Sequence, residues 1–200
     1  MDYFINIPTY DATTKLWSHT QFTTREEFVL FLKSIFKEPG QYAFDETSKL
    51  FNEQGRLFNK NRFYCAAPFR SKDFILYWDT EKEKCRMGVI FKSNEKTWYL
   101  TRDYYMWLNF LPIYNKEVAR FTFPDVRDAQ YHMALYEDIA KYSYKHVAVL
   151  KKRQIASSYF HAAKMINGFW FEEGWVNKIA ASLKDYINEK GTWRFLDEYR

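Results

Sequence analysis

The sequence predicts an α/β fold in which residues 116–200 begin a core of alternating strands and helices and residues 1–115 form a mainly helical lid subdomain. The chain has 200 residues, of which 47% are hydrophobic and 21% aromatic, so it is long and apolar enough to bury a sizeable core. After residue 116, short apolar runs alternate with helix-spaced apolar stripes. No repeat, low-complexity segment or Ser/Gly linker divides the chain, and the only boundary we draw lies near residue 115.

The net charge and the cysteine content limit the classes of protein to which this chain can belong. A net charge of +5 and a pI of about 9.0 permit contact with nucleic acid, nucleotide or a membrane surface without requiring any of them. Cys65 and Cys85 belong to no C-x-x-C motif, which indicates ordinary reduced thiols. The sequence shows no signal-peptide pattern and no apolar stretch of membrane length, so we expect a soluble, intracellular protein.

The first predicted element is a helix over residues 24–37. Residues 1–23 before it are aromatic and show no clear periodicity. Thr24 and Glu27 have the spacing of a capping box, which marks the start of the helix. Its apolar side chains form one stripe, more typical of a core face than of a partner-binding face: Phe28, Phe31, Leu32 and Ile35.

Three more elements are predicted before the boundary. Residues 41–62 are polar and indicate a loop or a short hairpin, whereas 71–88 favours a helix, although its apolar start also fits a strand. A short strand is expected at 89–91, followed by a helix that Thr101 caps and Pro112 ends. The apolar residues of that helix could stack on bases, but their helical spacing favours the core: Tyr104, Tyr105, Trp107, Leu108 and Leu111.

The second half alternates strands and helices. A strand is predicted at 119–123, then a helix over 124–144 and a buried strand at 147–150. A polar loop separates this strand from a helix over 158–171. A final helix is expected over 175–190, capped by Gly191.

The strand, loop and helix around residues 151–158 have the order of a phosphate-binding loop. Against the pattern G-x-x-x-x-G-K-S/T, only Ser158 matches. Lys151 occupies the first glycine position, Ala156 the second, and Ser157 the lysine position.

The chemistry of this loop suits phosphate better than its pattern does. Lys151, Lys152 and Arg153 are cations next to a helix N-terminus, and the hydroxyl of Ser158 can bind Mg²⁺. Residues 139–171 contain no acidic residue, which predicts a local positive field. Four backbone N–H groups would line the cradle: those of Gln154, Ile155, Ala156 and Ser157. The alternative interpretation is a solvated basic turn between a core strand and a core helix.

A candidate adenine contact lies upstream of the loop. Gln130 is one turn into the helix that Pro124 and Asp125 open. Its amide can both donate to and accept from the edge of adenine. A helical glutamine is usually a surface residue, but its position before a basic strand–loop–helix segment predicts a nucleotide site.

The runs RDAQ at 127–130 and KKRQIASS at 151–158 resemble the adenine motif and divergent Walker A loop of the large terminase subunit of tailed bacteriophages, the ATP-driven motor that packages DNA. The segment 97–115 also resembles the sequence that leads into that adenine motif. The resemblance covers residue 63 to the C-terminus and is strongest over 99–163. It implies a P-loop NTPase core, incomplete in this chain, with ATP and Mg²⁺ as cofactors. It also implies viral double-stranded DNA, the portal protein and the small terminase subunit as partners, and the host cytoplasm as location.

The resemblance also implies roles for individual residues. Lys151 would contact the β- and γ-phosphates and Arg153 would stabilise charge on the γ-phosphate. Ser158 would hold Mg²⁺, and Gln130 would contact adenine. This sequence departs from the family pattern at Ala156 and Ser157, so the charge role falls on Lys151, Lys152 and Arg153.

Two features of a complete motor are not evident in this sequence. An apolar strand ending in a Mg²⁺-binding carboxylate is expected downstream of the loop, but the segment RFLDE at 194–198 fits a helix start better. The acidic cluster of a nuclease domain is also missing. We therefore expect an N-terminal piece of a longer ATPase, inactive or weak by itself, or a shortened chain that kept the fold. The alternative function is a non-enzymatic module that binds DNA or protein through a basic, aromatic surface.

Overall fold

The computed structural model describes residues 4–35, 65, 67–93, 96–115, 117–150, 157–176 and 178. These residues form a mixed α/β fold, which confirms the predicted class. The elements follow in the order β1 (Ile5–Asp11), β2 (Leu16–Phe22), α1 (Arg25–Ile35), α2 (Lys72–Met87), β3 (Val89–Ser93), β4 (Lys96–Leu100), α3 (Arg102–Phe110), β5 (Ile113–Asn115), β6 (Arg120–Thr122), α4 (Asp128–Tyr142) and α5 (Ser157–Phe171).

The main sheet has the strand order β2-β1-β3-β4. Strands β1 and β2 form an antiparallel hairpin, β1 pairs in parallel with β3, and β3 pairs antiparallel with β4. The parallel pairing spans only Thr9–Asp11, so Pro8 lies outside it and its missing N–H is tolerated in a central strand. Strands β5 and β6 form a separate two-stranded sheet.

The hairpin is the part of the sheet that sequence periodicity does not reveal. Its tip is a turn in which the Asp11 carboxylate accepts hydrogen bonds from the N–H groups of Thr13 and Thr14, at 2.8 and 3.2 Å. Lys15 closes the turn with a positive φ of 59°. The two strands pair along their whole length, from Ile5 with Phe22 to Asp11 with Leu16. The main sheet therefore lies within residues 1–115, the segment that was expected to be mainly helical.

Three of the predicted helix starts are confirmed by their caps, whereas the helix predicted from residue 124 begins at Asp128 without a side-chain cap. The hydroxyls of Thr24, Ser71 and Thr101 each accept a hydrogen bond from the N–H three residues later, at 3.1, 3.2 and 3.3 Å. At the end of α2, Gly88 has a φ of +78° and its N–H bonds the carbonyl of Lys84 at 2.8 Å. A side chain at Gly88 would collide with the carbonyl oxygen of Leu100, so glycine is required there.

One hydrophobic core joins the sheet to helices from both sides of residue 115. Phe28 of α1 packs edge-on against Tyr142 of α4, with ring centroids 4.9 Å apart. Tyr104 of α3 packs against Phe160 of α5 at 5.9 Å. The predicted stripe of α1 and the aromatic residues of α3 are therefore core residues.

The predicted strand at 147–150 is wrong. These four residues form no strand, and Leu150 is fully exposed to solvent. An apolar run becomes a strand only when a neighbouring strand satisfies its backbone groups, and none of the described strands pairs with this run. The predicted loop at 41–62 and most of the predicted helix at 175–190 lie outside the described residues.

Candidate functional site

The predicted site residues are only partly within the described structure. Lys151, Lys152, Arg153, Gln154, Ile155 and Ala156 lie outside it. Ser157 is the first residue of α5 and is buried, whereas Ser158 beside it is exposed. Gln130 lies in the first turn of α4 and is only 3% exposed. A contact between Gln130 and adenine therefore requires the first turn of α4 to open.

Helices α4 and α5 run in the same direction, which the order of their contacts shows. Near their starts, Tyr131 and Phe160 both pack on Tyr104, with ring centroids 6.2 and 5.9 Å away. Further along, Lys164 contacts Glu137 through an Nζ–Oε2 distance of 2.6 Å. The first turns of α4 and α5, which carry the predicted residues Gln130, Ser157 and Ser158, therefore both lie against Tyr104.

The two serines at the start of α5 face different surroundings. The Oγ atom of Ser157 lies 3.2 Å from Nδ1 of His161, one turn into the helix. Ser158 is exposed and makes none of these internal contacts. Of the two hydroxyls, that of Ser158 is therefore the one accessible to a ligand.

Three side chains are arranged like the nucleophile, base and acid of a hydrolytic triad: Ser157, His161 and Glu137. The His161 Nδ1 atom, however, lies closer to the Ser157 carbonyl oxygen, at 2.7 Å, than to the Ser157 hydroxyl. A carbonyl only accepts, so Nδ1 carries a proton and cannot take one from the hydroxyl. Because Ser157 is also only 4% exposed, this arrangement does not support a hydrolytic triad.

The positive field predicted for residues 139–171 is partly neutralised by acidic residues from outside that segment. Lys164 pairs with Glu137, and Lys141 pairs with Glu172 at 2.8 Å. Lys145 remains exposed to solvent. The electrostatic attraction for phosphate therefore depends on fewer cations than the sequence predicts.

These ion pairs belong to a larger network, here called the ion cluster, at the junction of α3, α4 and α5. Arg102 contacts both Asp103 and Glu172, and Glu137 contacts both Lys164 and His161. The cluster comprises Arg102, Asp103, Glu137, Asp138, Lys141, His161, Lys164 and Glu172. It is the densest group of titratable side chains that we find in the described part of the chain.

Burial shifts the pKa values of the ion cluster. It raises the pKa of Asp138 to about 7, with a further contribution from the negative charge of Asp103. Burial also raises the pKa of Asp103, against the opposing charge of Arg102. The hydrogen bond to Glu137 raises the pKa of His161.

Two carboxylates of the cluster shift in the opposite direction. Burial alone would raise the pKa of Glu137, but its hydrogen bond with His161 and the charge of Lys164 outweigh burial and lower it. The pKa of Glu172 is lowered in the same way by Lys141 and Arg102. Both groups therefore remain ionised at neutral pH.

Sequence reasoning missed the ion cluster because its partners lie far apart in the chain. The spacing of Glu137 and Lys141 suggests an ion pair along one helix, but Lys141 pairs instead with Glu172, which follows α5. A usable signal was present, since Asp103 and Asp138 interrupt otherwise apolar helix faces. Charges in such positions are buried only when other elements supply counter-charges.

Other site types find little support in the described residues. Within the described ranges, no group of three or more His, Cys, Asp or Glu side chains could hold a metal ion. Tyr104 and Trp107 are fully buried, so they cannot stack on bases. None of the described helices is both long enough and apolar enough to cross a membrane.

Comparison of the chain with protein-family models, curated proteins and solved structures finds no match.

Proposed function

We propose that this chain binds an adenine nucleotide with Mg²⁺ at the shared end of α4 and α5, as the ATP-binding part of a phage large terminase that powers DNA packaging. The observation that carries the proposal is the start of α5. This helix begins at Ser157, which three residues separate from the basic run 151–153, and it exposes Ser158 in its first turn. Unpaired backbone N–H groups at a helix N-terminus attract phosphate.

Each site residue has a definite role in this proposal. Lys151 contacts the β- and γ-phosphates, with Lys152 beside it, and Arg153 stabilises charge that develops on the γ-phosphate. The backbone N–H groups of residues 154–157 line the cradle. Ser158 binds Mg²⁺, and Gln130 contacts adenine from the start of the adjacent helix. DNA, the portal protein and the small terminase subunit are the proposed partners of the complete motor.

The missing strand limits the activity that we propose. In a phosphate-binding loop, a paired strand holds the loop rigidly at its first residue. Residues 147–150 form no strand here, and Ala156 replaces a glycine that lets the backbone approach phosphate. We therefore expect nucleotide binding with little or no hydrolysis by this chain.

Calorimetric titration of ATP with Mg²⁺ tests the proposal directly. Lys151→Ala is expected to weaken ATP binding at least tenfold, about 1.4 kcal/mol, because Lys151 supplies charge to the terminal phosphates. Lys33→Ala removes an exposed lysine of α1 and should leave affinity unchanged. Gln130→Ala is expected to reduce the preference for ATP over GTP. Equal affinity of wild type and Lys151→Ala would remove Lys151 from the site.

A second candidate function is a non-enzymatic module that binds DNA or protein. Exposed aromatic side chains on a chain of net charge +5 favour it: Trp17, Phe69, Tyr144, Phe169 and Trp170. If the basic surface tracks DNA phosphates, affinity falls steeply between low and moderate salt, because binding releases counterions. Nucleotide binding that depends on Mg²⁺ and adenine would instead favour the first proposal.

A further inference from the structure

His161 joins the start of α5 to α4 through both of its ring nitrogens. Its Nδ1 atom lies 2.7 Å from the carbonyl oxygen of Ser157, in the same helix, and its Nε2 atom lies 3.2 Å from Oε1 of Glu137, in α4. The other carboxylate oxygen of Glu137, Oε2, lies 2.6 Å from Nζ of Lys164. We call these four residues the His161 clamp.

The two ring contacts of the clamp require two ring protons. The carbonyl oxygen of Ser157 only accepts hydrogen bonds. Burial opposes ionisation of Glu137, but its hydrogen bond with His161 and the charge of Lys164 outweigh burial and lower its pKa, so this carboxylate also only accepts. A neutral imidazole has one N–H and would turn a lone pair toward one of these acceptors. The doubly protonated ring is therefore the form that fits the geometry.

Loss of either ring proton weakens the link between the two helices. A ring that keeps only its Nδ1 proton turns a lone pair toward the Glu137 carboxylate and repels it. A ring that keeps only its Nε2 proton still donates to Glu137, but without a positive charge, and its Nδ1 lone pair then faces the Ser157 carbonyl. Because hydrogen bonds between charged groups are roughly twice as strong as neutral ones, the attraction between α5 and α4 falls in both cases.

The charges of neighbouring helices do not replace Glu137 as the partner of the ring. Glu137 favours the second ring proton, and Lys164, on the same helix as His161, opposes it. Helix α3 also packs on α5, but its charged pair, Arg102 and Asp103, has its own contact at 3.5 Å.

Helix α2 reaches the far end of α5, away from His161. There the guanidinium group of Arg86 lies 5.5 Å from the centre of the Phe171 ring. The charge state of the His161 ring is therefore set mainly by Glu137.

We propose that the His161 clamp is a pH-sensitive switch, which holds the start of α5 against α4 while the ring carries two protons and releases that contact when the ring loses one. The His161 side chain is 41% exposed, so its ring exchanges protons with solvent, whereas the Glu137 side chain is 9% exposed. Lys164 has its own contact with Glu137, one turn further along α5. The contact that is released is therefore the one nearer the start of the helix. The switch does not depend on nucleotide binding.

The contacts of the clamp determine the direction of the pH effect. The hydrogen bond to Glu137 raises the pKa of His161 above its ordinary value of 6.5, although burial of the ring opposes this. The contribution of the clamp to stability is therefore fully present below pH 6.5 and is lost as the pH rises through the pKa of the folded state. Glu137, whose pKa is lowered, acts in the opposite direction, but only below pH 4.5.

Nitrogen NMR of the histidine rings tests the protonation state directly, between pH 5 and pH 9. The signals of His161, which are absent in His161→Gln, are expected to show two protonated nitrogens at the acidic end. Glu137→Gln replaces the carboxylate with a neutral amide of the same shape and should move the loss of the second proton to lower pH. Glu83→Gln removes the carboxylate beside His19 and should leave the His161 signals unchanged. An His161 titration that Glu137→Gln does not move would overturn the proposal.

Chemical unfolding over the same pH range measures the effect on stability. Relative to His161→Gln, the unfolding constant of wild type is expected to rise by up to about tenfold per pH unit above pH 6.5 and to level off where the ring titration ends. Burial raises the pKa of Asp138 to about 7, but Asp138 is present in both proteins. His146→Gln makes the same change at an exposed ring and should follow wild type. Parallel curves for wild type and His161→Gln would contradict the switch.

A double-mutant cycle assigns the effect to the contact between His161 and Glu137. At pH 6 the effects of His161→Gln and Glu137→Gln on the unfolding constant are expected to be less than multiplicative, because either substitution alone opens the clamp. At pH 9 the two effects should multiply, because the clamp is already open. Multiplication at both pH values would rule out the switch. If Glu137→Gln does not fold, the ring titration of wild type and the unfolding curves of wild type and His161→Gln decide the question.

Discussion

Glu81 illustrates how single buried charges are accommodated in this protein. Its side chain is 3% exposed, and its two oxygens are occupied separately. Lys84 Nζ lies 2.6 Å from Oε1, and the Tyr105 hydroxyl donates to Oε2 over 2.7 Å. The lysine also lies 4.3 Å from the centre of the Trp17 ring. A buried carboxylate with a full set of partners is stable, whereas one that lacks a partner is costly.

Tyr105→Phe is expected to destabilise the protein by about 2 kcal/mol, because it removes the hydrogen bond to one oxygen of a buried carboxylate without changing the packing. Urea unfolding monitored by circular dichroism measures this change. Tyr114→Phe, on an exposed ring of β5, is the matched control. Equal urea midpoints for Tyr105→Phe and wild type would show that water replaces the lost donor.

Also at the residue scale, Lys141 and Lys164 show that ion pairs with distant residues cannot be recognised from the local sequence. Both belong to a stretch of 33 residues without an acidic side chain, 139–171, yet both are paired in the structure. Their partners, Glu172 and Glu137, lie just beyond the two ends of that stretch. The number of basic residues in this stretch of sequence therefore overestimates the positive field at the predicted nucleotide site.

At the scale of elements, helices were predicted well because their signals are local. A capping hydroxyl and the N–H that it binds are three residues apart, so Ser71 and Thr101 mark helix starts without reference to the rest of the chain. Strands need partners from elsewhere. The run at 147–150 has strand composition but pairs with none of the described strands, whereas the β1–β2 hairpin is paired but shows no clear apolar alternation.

Substitution of Gly168 tests how tightly α5 packs against Trp175. Alanine normally stabilises a helix interior relative to glycine by about 1 kcal/mol. At Gly168, however, a Cβ atom would overlap the ring of Trp175, which packs against this side of the helix. We therefore expect Gly168→Ala to destabilise the protein by about 1–3 kcal/mol, measured by thermal unfolding.

The same substitution in a Trp175→Ala background provides the control. Without the indole ring, Gly168→Ala should become neutral or stabilising, and the double-mutant cycle isolates the contact. A destabilisation of equal size in both backgrounds would assign the effect to another neighbour.

At the scale of the whole molecule, the core crosses the predicted boundary at residue 115. Phe160 is 1% exposed and packs against Trp107 of α3 at 5.6 Å as well as against Tyr104. Asn167, also of α5, donates to the carbonyl of Cys85 in α2 at 2.8 Å. Helices before and after residue 115 are thus expected to unfold together.

Phe160→Ala is expected to cost about 3–5 kcal/mol, because it leaves a cavity in the shared core. The β1–β2 hairpin should lose amide protection in this variant, although no residue of the hairpin touches Phe160 in the contacts described above. Phe169→Ala, on an exposed ring of the same helix, should leave stability nearly unchanged. Unchanged protection of the hairpin in Phe160→Ala would indicate two independently stable units.

The sequence alone determined the α/β class, the starts of most described helices and the core faces of α1 and α3, because these depend on caps and apolar spacing within a few residues. Only the tertiary structure decided that residues 147–150 form no strand, that Gln130 is buried and that the ion cluster forms. Each of these depends on which distant group lies within hydrogen-bonding or ion-pairing distance, as Glu172 does for Arg102. Such distances are set by the packing of α3, α4 and α5 against the sheet, which no short stretch of the sequence encodes.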